Sequence, residues 1–399
     1  MRFLHTSDWH IGRNVRGQSR LAEHEAVLQE VLSLAQEHGV DCLLVAGDIF
    51  DTSTPPPEAE QLVYAFFREL YGAGIPAVVI AGNHDHPKRL DAVAPLLGSL
   101  GIHMRGLPRG PADGALVDVE SRDKRERAVV AALPWINERD VVDFTRLQMG
   151  TDAPLMQYAE RVQEAMRVLA SGFEPDAVSV LVTHLLADDA MVGPGGGERE
   201  LHMAMGIYGV RRAALPVEAQ YIALGHVHKP QDISCASKAG YSGSLLQLDF
   251  GEREQEKNVN LIEVHARQPA SVVRLSIASG RRLIDVGMPD HGVALNDLAR
   301  FKDETAGAWA RVFVEVDMPV ANLPQLVRAE LPNAVHVERA HKAAIGEETE
   351  SVERVRLGPV EMFSRFYEGS LGRGHEPSTE TLTLFRTLLN EEEHAPTEA

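Results

Sequence analysis

Five short motifs carrying histidine, aspartate or asparagine follow one another along the chain. They are Asp8-Trp9-His10, Gly47-Asp48-Ile49-Phe50-Asp51, Gly82-Asn83-His84-Asp85, Thr183-His184 and Gly225-His226-Val227-His228. Imidazole, carboxylate and amide oxygen without thiolate favour manganese, iron or zinc in a hydrolytic site. Such a set can hold two ions, which together can clamp the attacking and leaving oxygens of a displacement at phosphorus. The motifs therefore indicate phosphoester hydrolysis, with Asp48 as the natural bridging carboxylate.

The motifs stand where predicted strands end. Apolar runs at 2–6, 42–46, 77–81, 178–182 and 221–224 precede them, and all but the first are rich in the apolar residues of buried strands. Helical patterns at 21–38 and 58–71 separate the early strands, which predicts a layered α/β domain. In such sheets, functional residues collect beyond the carboxyl ends of the strands. The fold would therefore bring all five motifs together.

The motif order resembles that of the calcineurin-like metallophosphoesterases. Ser7–Gly12, Gly47–Asp51 and the later Tyr241-Ser242-Gly243-Ser244 are most similar to the bacterial nuclease subunits of that family, which are related to the eukaryotic double-strand-break repair nuclease. The likeness covers about residues 1–280. It implies an α/β fold: a layered β-sandwich core flanked by helices, then a smaller α/β capping domain and C-terminal helices.

The resemblance also implies a role for each motif residue. One divalent ion, expected to be Mn(II), would be held by Asp8, His10, Asp48 and His228. The second would be held by Asp48, Asn83, His184 and His226. His84 would not bind metal, but would stabilise the phosphate or protonate the leaving oxygen. Asp85 would orient His84 or a ligand.

Each motif alone has a simpler interpretation. Asp8 or Gly47-Asp48 could be ordinary turns, Asn83 a left-handed turn residue and His184 an interior histidine. Two other functions also use this fold: a stand-alone phosphoesterase acting on small substrates such as cyclic nucleotides, and an inactive scaffold. The additional C-terminal residues count against the first, and the complete ligand set counts against the second.

Composition sets further limits. The chain has 399 residues, a net charge of −19 and two cysteines, and no apolar stretch long enough to cross a bilayer, so we expect a soluble cytoplasmic protein without disulfides. An acidic protein does not bind DNA through its overall field. Bound metals and the nearby Arg13, Arg16 and Arg20 would make the cleft locally positive, and we expect these arginines to contact DNA phosphates.

The sequence predicts four segments: a nuclease domain at 1–278, a capping domain at 279–350, helices at 351–390 and an acidic tail at 391–399. The family implies that the helices dock on a coiled-coil ATPase partner, although they could instead pack on their own domain. It also implies a homodimer, exonuclease action on double-stranded ends, and endonuclease action on single strands and hairpins. The loop after His184 is unusually rich in glycine, at 193–197.

Overall fold

The structure, a computed structural model, describes residues 1–136, 158–191, 209–316, 318, 320–340, 377–378 and 381–382. The chain divides into two compact units, Met1–Lys342 and Ala343–Ala399. The glycine-rich loop at 193–197 and nearly all of the predicted helices at 351–390 lie outside the described residues. None of the described helices is both long and apolar enough to cross a membrane.

The elements of the first unit are numbered in chain order. The strands are β1 Arg2–Thr6, β2 Asn14–Val15, β3 Gln18–Ser19, β4 Cys42–Ala46, β5 Ala77–Ile80, β6 Ile102–Arg105, β7 Leu116–Glu120, β8 Arg127–Leu133, β9 Val178–His184, β10 Leu186–Ala187, β11 Gly209–Val210, β12 Tyr221–Gly225, β13 Gln231–Ser234, β14 Lys238–Tyr241, β15 Asn258–Glu263, β16 Ser271–Ser276, β17 Arg282–Val286, β18 Val293–Ala294, β19 Ala308–Glu315 and β20 Ala334–Arg339. The α-helices are α1 Leu21–Glu37, α2 Pro57–Gly72, α3 Pro87–Gly98, α4 Tyr158–Ala170, α5 Lys302–Thr305 and α6 Leu323–Glu330.

Two six-stranded sheets form the core. The first has the order β16-β15-β1-β4-β5-β6, in which β1, β4, β5 and β6 are parallel. The second has the order β13-β14-β12-β9-β8-β7, in which β14, β12, β9 and β8 are parallel. Parallel strands end at one edge of their sheet, so the residues that follow β1, β4 and β5 lie side by side, as do those that follow β9 and β12.

The two sheets pack face to face between layers of helix. Along β4, Leu44 belongs to the core shared with Val180 of the second sheet, whereas Leu43 belongs to the core under α1 and α2. This alternation follows from the two-residue period of a strand, and it requires a strand that is apolar on both faces. Met166 and Leu169 of α4 cover the outer face of the second sheet. The predicted layered α/β sandwich is confirmed.

A third sheet follows the two core sheets. In it β17, β18 and β20 all pair with β19 in parallel, and β20 pairs with it over Ala310–Val314. Its own core includes Val286, Val312 and Val327. The sequence pattern in this region predicts strands at 283–286 and 310–317, an extended segment at 334–338, and helices at 295–301 and 323–331. The structure has these elements, except that Leu295–Phe301 is a 3-10 helix. The sequence patterns do not predict β6 to β8, α3 or α4.

Candidate metal centre

The five motifs meet where the carboxyl ends of the two core sheets adjoin. The amide of Asp8 donates to the carbonyl of Gly47 at 3.0 Å, and the amide of His10 donates to the carbonyl of Asp48 at 3.0 Å. The loops after β1 and β4 therefore run side by side. His184 ends β9 opposite Gly225 of β12, which carries His226 next to it. All five predicted strand ends thus contribute to one cluster of polar side chains.

Four of these residues have backbone angles in the left-handed region, which is rare for residues other than glycine. Asp8, His10, Asp48 and His226 have positive φ angles of 53°, 48°, 51° and 108°. Residues with a Cβ adopt such angles at a cost of about 1–3 kcal/mol, and they do so mostly at functional sites. A left-handed residue within a few positions of a strand end turns the chain sharply, which places these side chains within one buried cluster.

Two glycines allow the loops to approach each other. A Cβ on Gly82 would lie 2.1 Å from Asp48 Oδ1, and a Cβ on Gly225 would lie 1.8 Å from the carbonyl oxygen of Ala46. Only glycine fits at distances this short. The first contact brings the Asn83 loop onto Asp48, and the second brings the two sheets together at the site.

Asp8, His10 and His228 form one half of the centre. All three are buried, and each offers a donor atom within 4.8 Å of the others. The Nε2 atoms of His10 and His228 face each other at 3.2 Å. His228 donates its Nδ1 hydrogen to Glu252 Oε1 at 2.9 Å, so its Nε2 carries a lone pair. A cation between the two rings would suit that lone pair.

Asn83, His184 and His226 form the other half. His184 donates its Nδ1 hydrogen to the carbonyl of Ala46 at 2.7 Å, which leaves a lone pair on Nε2. That lone pair faces Asn83 Oδ1 at 2.9 Å, and His226 Nδ1 faces the same oxygen at 3.0 Å. Two acceptor atoms at such distances repel unless a positive charge lies between them. This arrangement fits a bound metal ion.

Asp48 lies between the two halves. Its Oδ2 atom is 3.6 Å from His10 Nε2 and 3.6 Å from His184 Nε2. Its Oδ1 atom accepts from the backbone amide of His84 at 2.9 Å, which fixes the carboxylate. A carboxylate in this position can serve both metals, as the sequence predicts for Asp48.

The protonation of the histidines suits metal binding. Burial lowers the pKa of His10 below its usual value, although the hydrogen bond to Asp51 and the charge of Asp48 oppose the effect. Burial, together with His184, lowers the pKa of His226 well below its usual value. Both imidazoles are therefore neutral near pH 7, the form in which histidine binds a metal.

His84 lies at the edge of the centre and is half-buried. It donates its Nδ1 hydrogen to the backbone carbonyl of Asp51 at 2.8 Å, and its ring stands edge-on to His10 with the centroids 4.7 Å apart. One ring nitrogen also lies within 4.8 Å of donor atoms of His10 and Asp48. His84 is thus close enough to act on a phosphate there, while its role as a non-ligand stays a prediction.

Asp85 is expected to orient His84 or a metal ligand, and its hydrogen bonds go to backbone amides and not to the His84 ring. Its carboxylate accepts from the backbone amides of Gly82, Ile49 and Phe50 at 2.9 to 3.2 Å. Burial, and then the charge of Asp48, raise its pKa to about 6. Asp85 therefore ties together the two loops that carry Asp48 and Asn83, and the His84 ring is oriented by Asp51 instead.

The three arginines expected to contact DNA have different environments. Arg16 is exposed in the turn between β2 and β3, and Arg13 is half-buried and donates to Asp51 at 3.1 Å. Arg20 is buried and pairs with Glu23 at 2.7 Å. Arg20 therefore does not contact DNA as expected, because its guanidinium is buried and paired with Glu23 inside the protein.

Two residues at the centre, Trp135 and Glu252, are not indicated by any of the five motifs. Trp135 stacks on His226 with a centroid distance of 5.5 Å and an interplanar angle of 21°, so it covers one side of the second half. Glu252 supports His228 from outside, as described above. Neither belongs to a motif of its own. The only signal for Glu252 was its position shortly after the Tyr241-Ser242-Gly243-Ser244 motif.

Comparison with known proteins agrees with this geometry. A model of the calcineurin-like phosphoesterase family matches residues 1–230, more than half of the 399 residues. The chain belongs to the calcineurin-like phosphoesterase family. A donor set that fits two metal ions is therefore found in a family defined by phosphoester chemistry.

Within the calcineurin-like phosphoesterases, the chain is similar to several proteins named as the SbcD component of the nuclease SbcCD. The one from Bacillus subtilis (strain 168) is 32% identical, over 99% of this chain and 100% of its own length. The one from Rhodobacter capsulatus is 30% identical over 83% of this chain and 84% of its own length. The one from Escherichia coli (strain K12) is 32% identical over 69% of this chain and 68% of its own length. The predicted resemblance to bacterial SbcD nucleases is confirmed.

Proposed function

We propose that this chain is the nuclease subunit of an SbcCD-type complex and hydrolyses DNA phosphodiester bonds. The observation that carries the proposal is the convergence of buried carboxylate and imidazole donors, with the half-buried amide of Asn83 beside them, in a chain that matches an SbcD protein along its whole length. The activities we propose are exonuclease action on double-stranded ends and endonuclease action on single strands and hairpins, within DNA repair and recombination.

The proposed centre holds two divalent ions, and we propose Mn(II). Asp8, His10, Asp48 and His228 would bind one, and Asp48, Asn83, His184 and His226 the other. When bound, the two ions would act as Lewis acids on the scissile phosphate and make water nucleophilic at neutral pH. The protein's own part is to keep the imidazoles of His10 and His226 neutral by burial, and to hold the donors in place through Glu252, Ala46 and Asp85.

His84 is proposed to act on the phosphate directly. Its Nδ1 hydrogen is used by the carbonyl of Asp51, so its Nε2 is the atom that can carry a proton to the leaving oxygen or, when protonated, stabilise the charged phosphate. Asp85 assists by holding the loops around it. Arg16 and Arg13 are proposed to contact DNA phosphates, which would give a sequence-independent and salt-sensitive grip.

The proposed domain division is 1–278 for the nuclease, 279–350 for the cap and 351–390 for docking on the SbcC-type ATPase, with a homodimer as the assembly. The recurring apolar residues of the last segment support the docking role. A cytoplasmic location is proposed because both cysteines are free thiols.

Truncation after residue 350 tests the docking proposal. We expect the shortened chain to keep its manganese-dependent nuclease activity and to lose its binding to the ATPase, because the apolar docking helices are gone. Binding measured by size-exclusion chromatography with the ATPase distinguishes the outcomes. A truncated chain that still co-elutes with the ATPase would show that the helices pack elsewhere.

Digestion assays test the function itself. A supercoiled plasmid and a linear duplex are incubated with the full chain and Mn(II) or Mg(II), with and without the partner ATPase and ATP. We expect cleavage with Mn(II), and none by an Asp48→Ala variant. Hydrolysis of a cyclic nucleotide without DNA cleavage under any of these conditions would overturn the proposal in favour of a small-substrate phosphoesterase.

A further inference from the structure

A buried ion pair stands directly behind one of the predicted metal ligands. Glu252 is 1% exposed and accepts the Nδ1 hydrogen of His228 through Oε1 at 2.9 Å. Its other oxygen, Oε2, accepts from the ammonium of Lys257 at 2.7 Å. Lys257 is also buried, with 7% of its surface exposed. Neither residue is among the predicted donors, so the pair needs an explanation of its own.

Lys257 also contacts His228 directly, at its backbone carbonyl. Its Nζ atom donates to the backbone carbonyl of His228 at 3.1 Å, and Ser244 and Gln255 lie 2.8 and 2.9 Å away, so its three hydrogens are shared among these groups and Glu252. The ion pair therefore hydrogen-bonds to His228 at two places, to the ring through Glu252 and to the main chain through Lys257. Ring orientation and backbone position are fixed by one pair of charges.

The pair also determines which nitrogen of His228 faces the centre. A carboxylate can only accept, so the hydrogen of the neutral imidazole stays on Nδ1 and the lone pair stays on Nε2. That Nε2 atom faces His10 Nε2 at 3.2 Å. The ammonium of Lys257, 2.7 Å from Oε2, is the positive charge that pairs with this buried carboxylate.

Stability alone does not account for this arrangement. A buried ion pair costs so much desolvation that apolar residues of similar size often serve a fold equally well or better. The turn at 244–257 already has other anchors, among them the bond from the Gln247 side chain to the carbonyl of Arg253 at 2.9 Å. What an apolar pair could not do is hold the imidazole of His228 in one tautomer and one orientation.

We propose that Glu252 and Lys257 are positioning residues of the metal centre, which act through His228 and strengthen metal binding at the position that His228 shares with Asp8 and His10. This inference rests on the proposed function, since it takes His228 to be a ligand. It assigns to the segment after the Tyr241-Ser242-Gly243-Ser244 motif a role in the chemistry of the site.

The test compares full-length variants after metal removal. Glu252→Gln removes the charge and keeps the size, and Glu252→Gln with Lys257→Met removes both charges, so that neither is left unpaired in the interior. Glu254→Gln is the matched control, because Glu254 lies two residues away with 84% of its side chain exposed. Mn(II) affinity at each position is measured by calorimetric titration, and the stability of the metal-free chain by thermal unfolding.

We expect both Glu252 variants to bind one of two Mn(II) ions about 10–100-fold more weakly, with the other position and Glu254→Gln unchanged. If both bind Mn(II) with wild-type affinity at both positions, whatever happens to their thermal stability, the pair is merely structural and the inference is overturned. His228→Asn separates this failure from a failure of the proposed function. If His228→Asn also binds both ions normally, the ligand assignment itself is wrong and the inference falls with it.

Discussion

Backbone strain and close contacts surround the predicted ligands. Asp8, His10, Asp48 and His226 have left-handed backbone angles, and Gly82 lies where a Cβ would meet the carboxylate of Asp48. Strain of this kind persists only when the surrounding structure holds it in place. The centre is therefore sensitive to very small changes in side-chain volume at positions that bind nothing themselves.

Gly82→Ala tests this sensitivity. The new Cβ would lie 2.1 Å from Asp48 Oδ1 and 2.3 Å from the Asp48 amide nitrogen, so one of the two loops must move. We expect the metal-free chain to lose about 1–3 kcal/mol of stability and the Mn(II) affinity to fall. Calorimetry and metal analysis measure the two effects.

Gly72→Ala is the matched control for Gly82→Ala, because a Cβ there meets nothing within 4 Å. We expect its stability to be unchanged or slightly raised, since alanine restricts the unfolded chain. Equal metal binding by Gly82→Ala and Gly72→Ala would contradict the steric argument.

His84→Ala separates metal binding from turnover. We expect both metals to remain bound and turnover to fall by about 10²–10⁴-fold, the usual size of an acid–base contribution. Metal content per chain and the rate of DNA cleavage are the two measurements. His86→Ala, which alters an exposed histidine two residues away, serves as the control. Loss of an ion from His84→Ala would make His84 a ligand.

At the scale of elements, the position of α1 explains why Arg20 is buried while Arg13 and Arg16 are not. Glu23, in the first turn of α1, accepts from Arg20 at 2.7 Å, from the Trp309 ring nitrogen at 2.7 Å and from the Arg281 amide at 3.0 Å. Trp309 lies on β19 of the third sheet. Arg20 is therefore part of the packing between α1 and the third sheet.

Arg20→Met should lower stability, whereas Arg16→Met should weaken DNA binding. Arg20→Met leaves the buried Glu23 without its ion-pair partner, and we expect it to lower the free energy of unfolding by about 3 kcal/mol. Arg16→Met should change stability by less than about 0.5 kcal/mol, as exposed substitutions do, while weakening DNA binding. Chemical denaturation and a DNA-binding titration measure both properties. Wild-type stability in Arg20→Met would refute the structural role.

At the scale of the whole molecule, the charge of −19 and the proposed function are reconciled at the centre. Two divalent ions would bring roughly four positive charges into a cleft that otherwise contains Asp8, Asp48, Asp51 and Asp85. The same ions would relieve the repulsion between these carboxylates. Metal binding should therefore stabilise the folded chain as well as make it active.

Metal removal tests this link. Because a ligand that binds only the folded state stabilises it by about 2.7 kcal/mol at a concentration 100 times its Kd, a chelator should lower the unfolding temperature and Mn(II) should restore it. Thermal unfolding of the full chain measures the shift. Asp48→Ala lacks the predicted bridging carboxylate and should show almost no shift; a wild-type shift in that variant would mean that the stabilising ions bind elsewhere.

The sequence by itself determined the parts of this protein that are local. Buried strands such as Cys42–Ala46 can be predicted because all their residues are apolar, and the motif that follows each strand must lie at its carboxyl end. The fold class and the clustering of the predicted ligands therefore followed from short segments, each interpreted within a few residues of its strand.

Only the tertiary structure decided which groups support the ligands. Glu252 reaches His228 across 24 residues, Asp51 reaches the His84 ring across 33, and Arg20 reaches the carbonyl of Gln247 across 227. These contacts come from loops, a short 3-10 helix and a helix N-terminus, where no periodic pattern predicts the direction of a side chain. The physical reason is that strand periodicity is repeated in every strand, whereas each of these contacts exists once and depends on how distant segments pack.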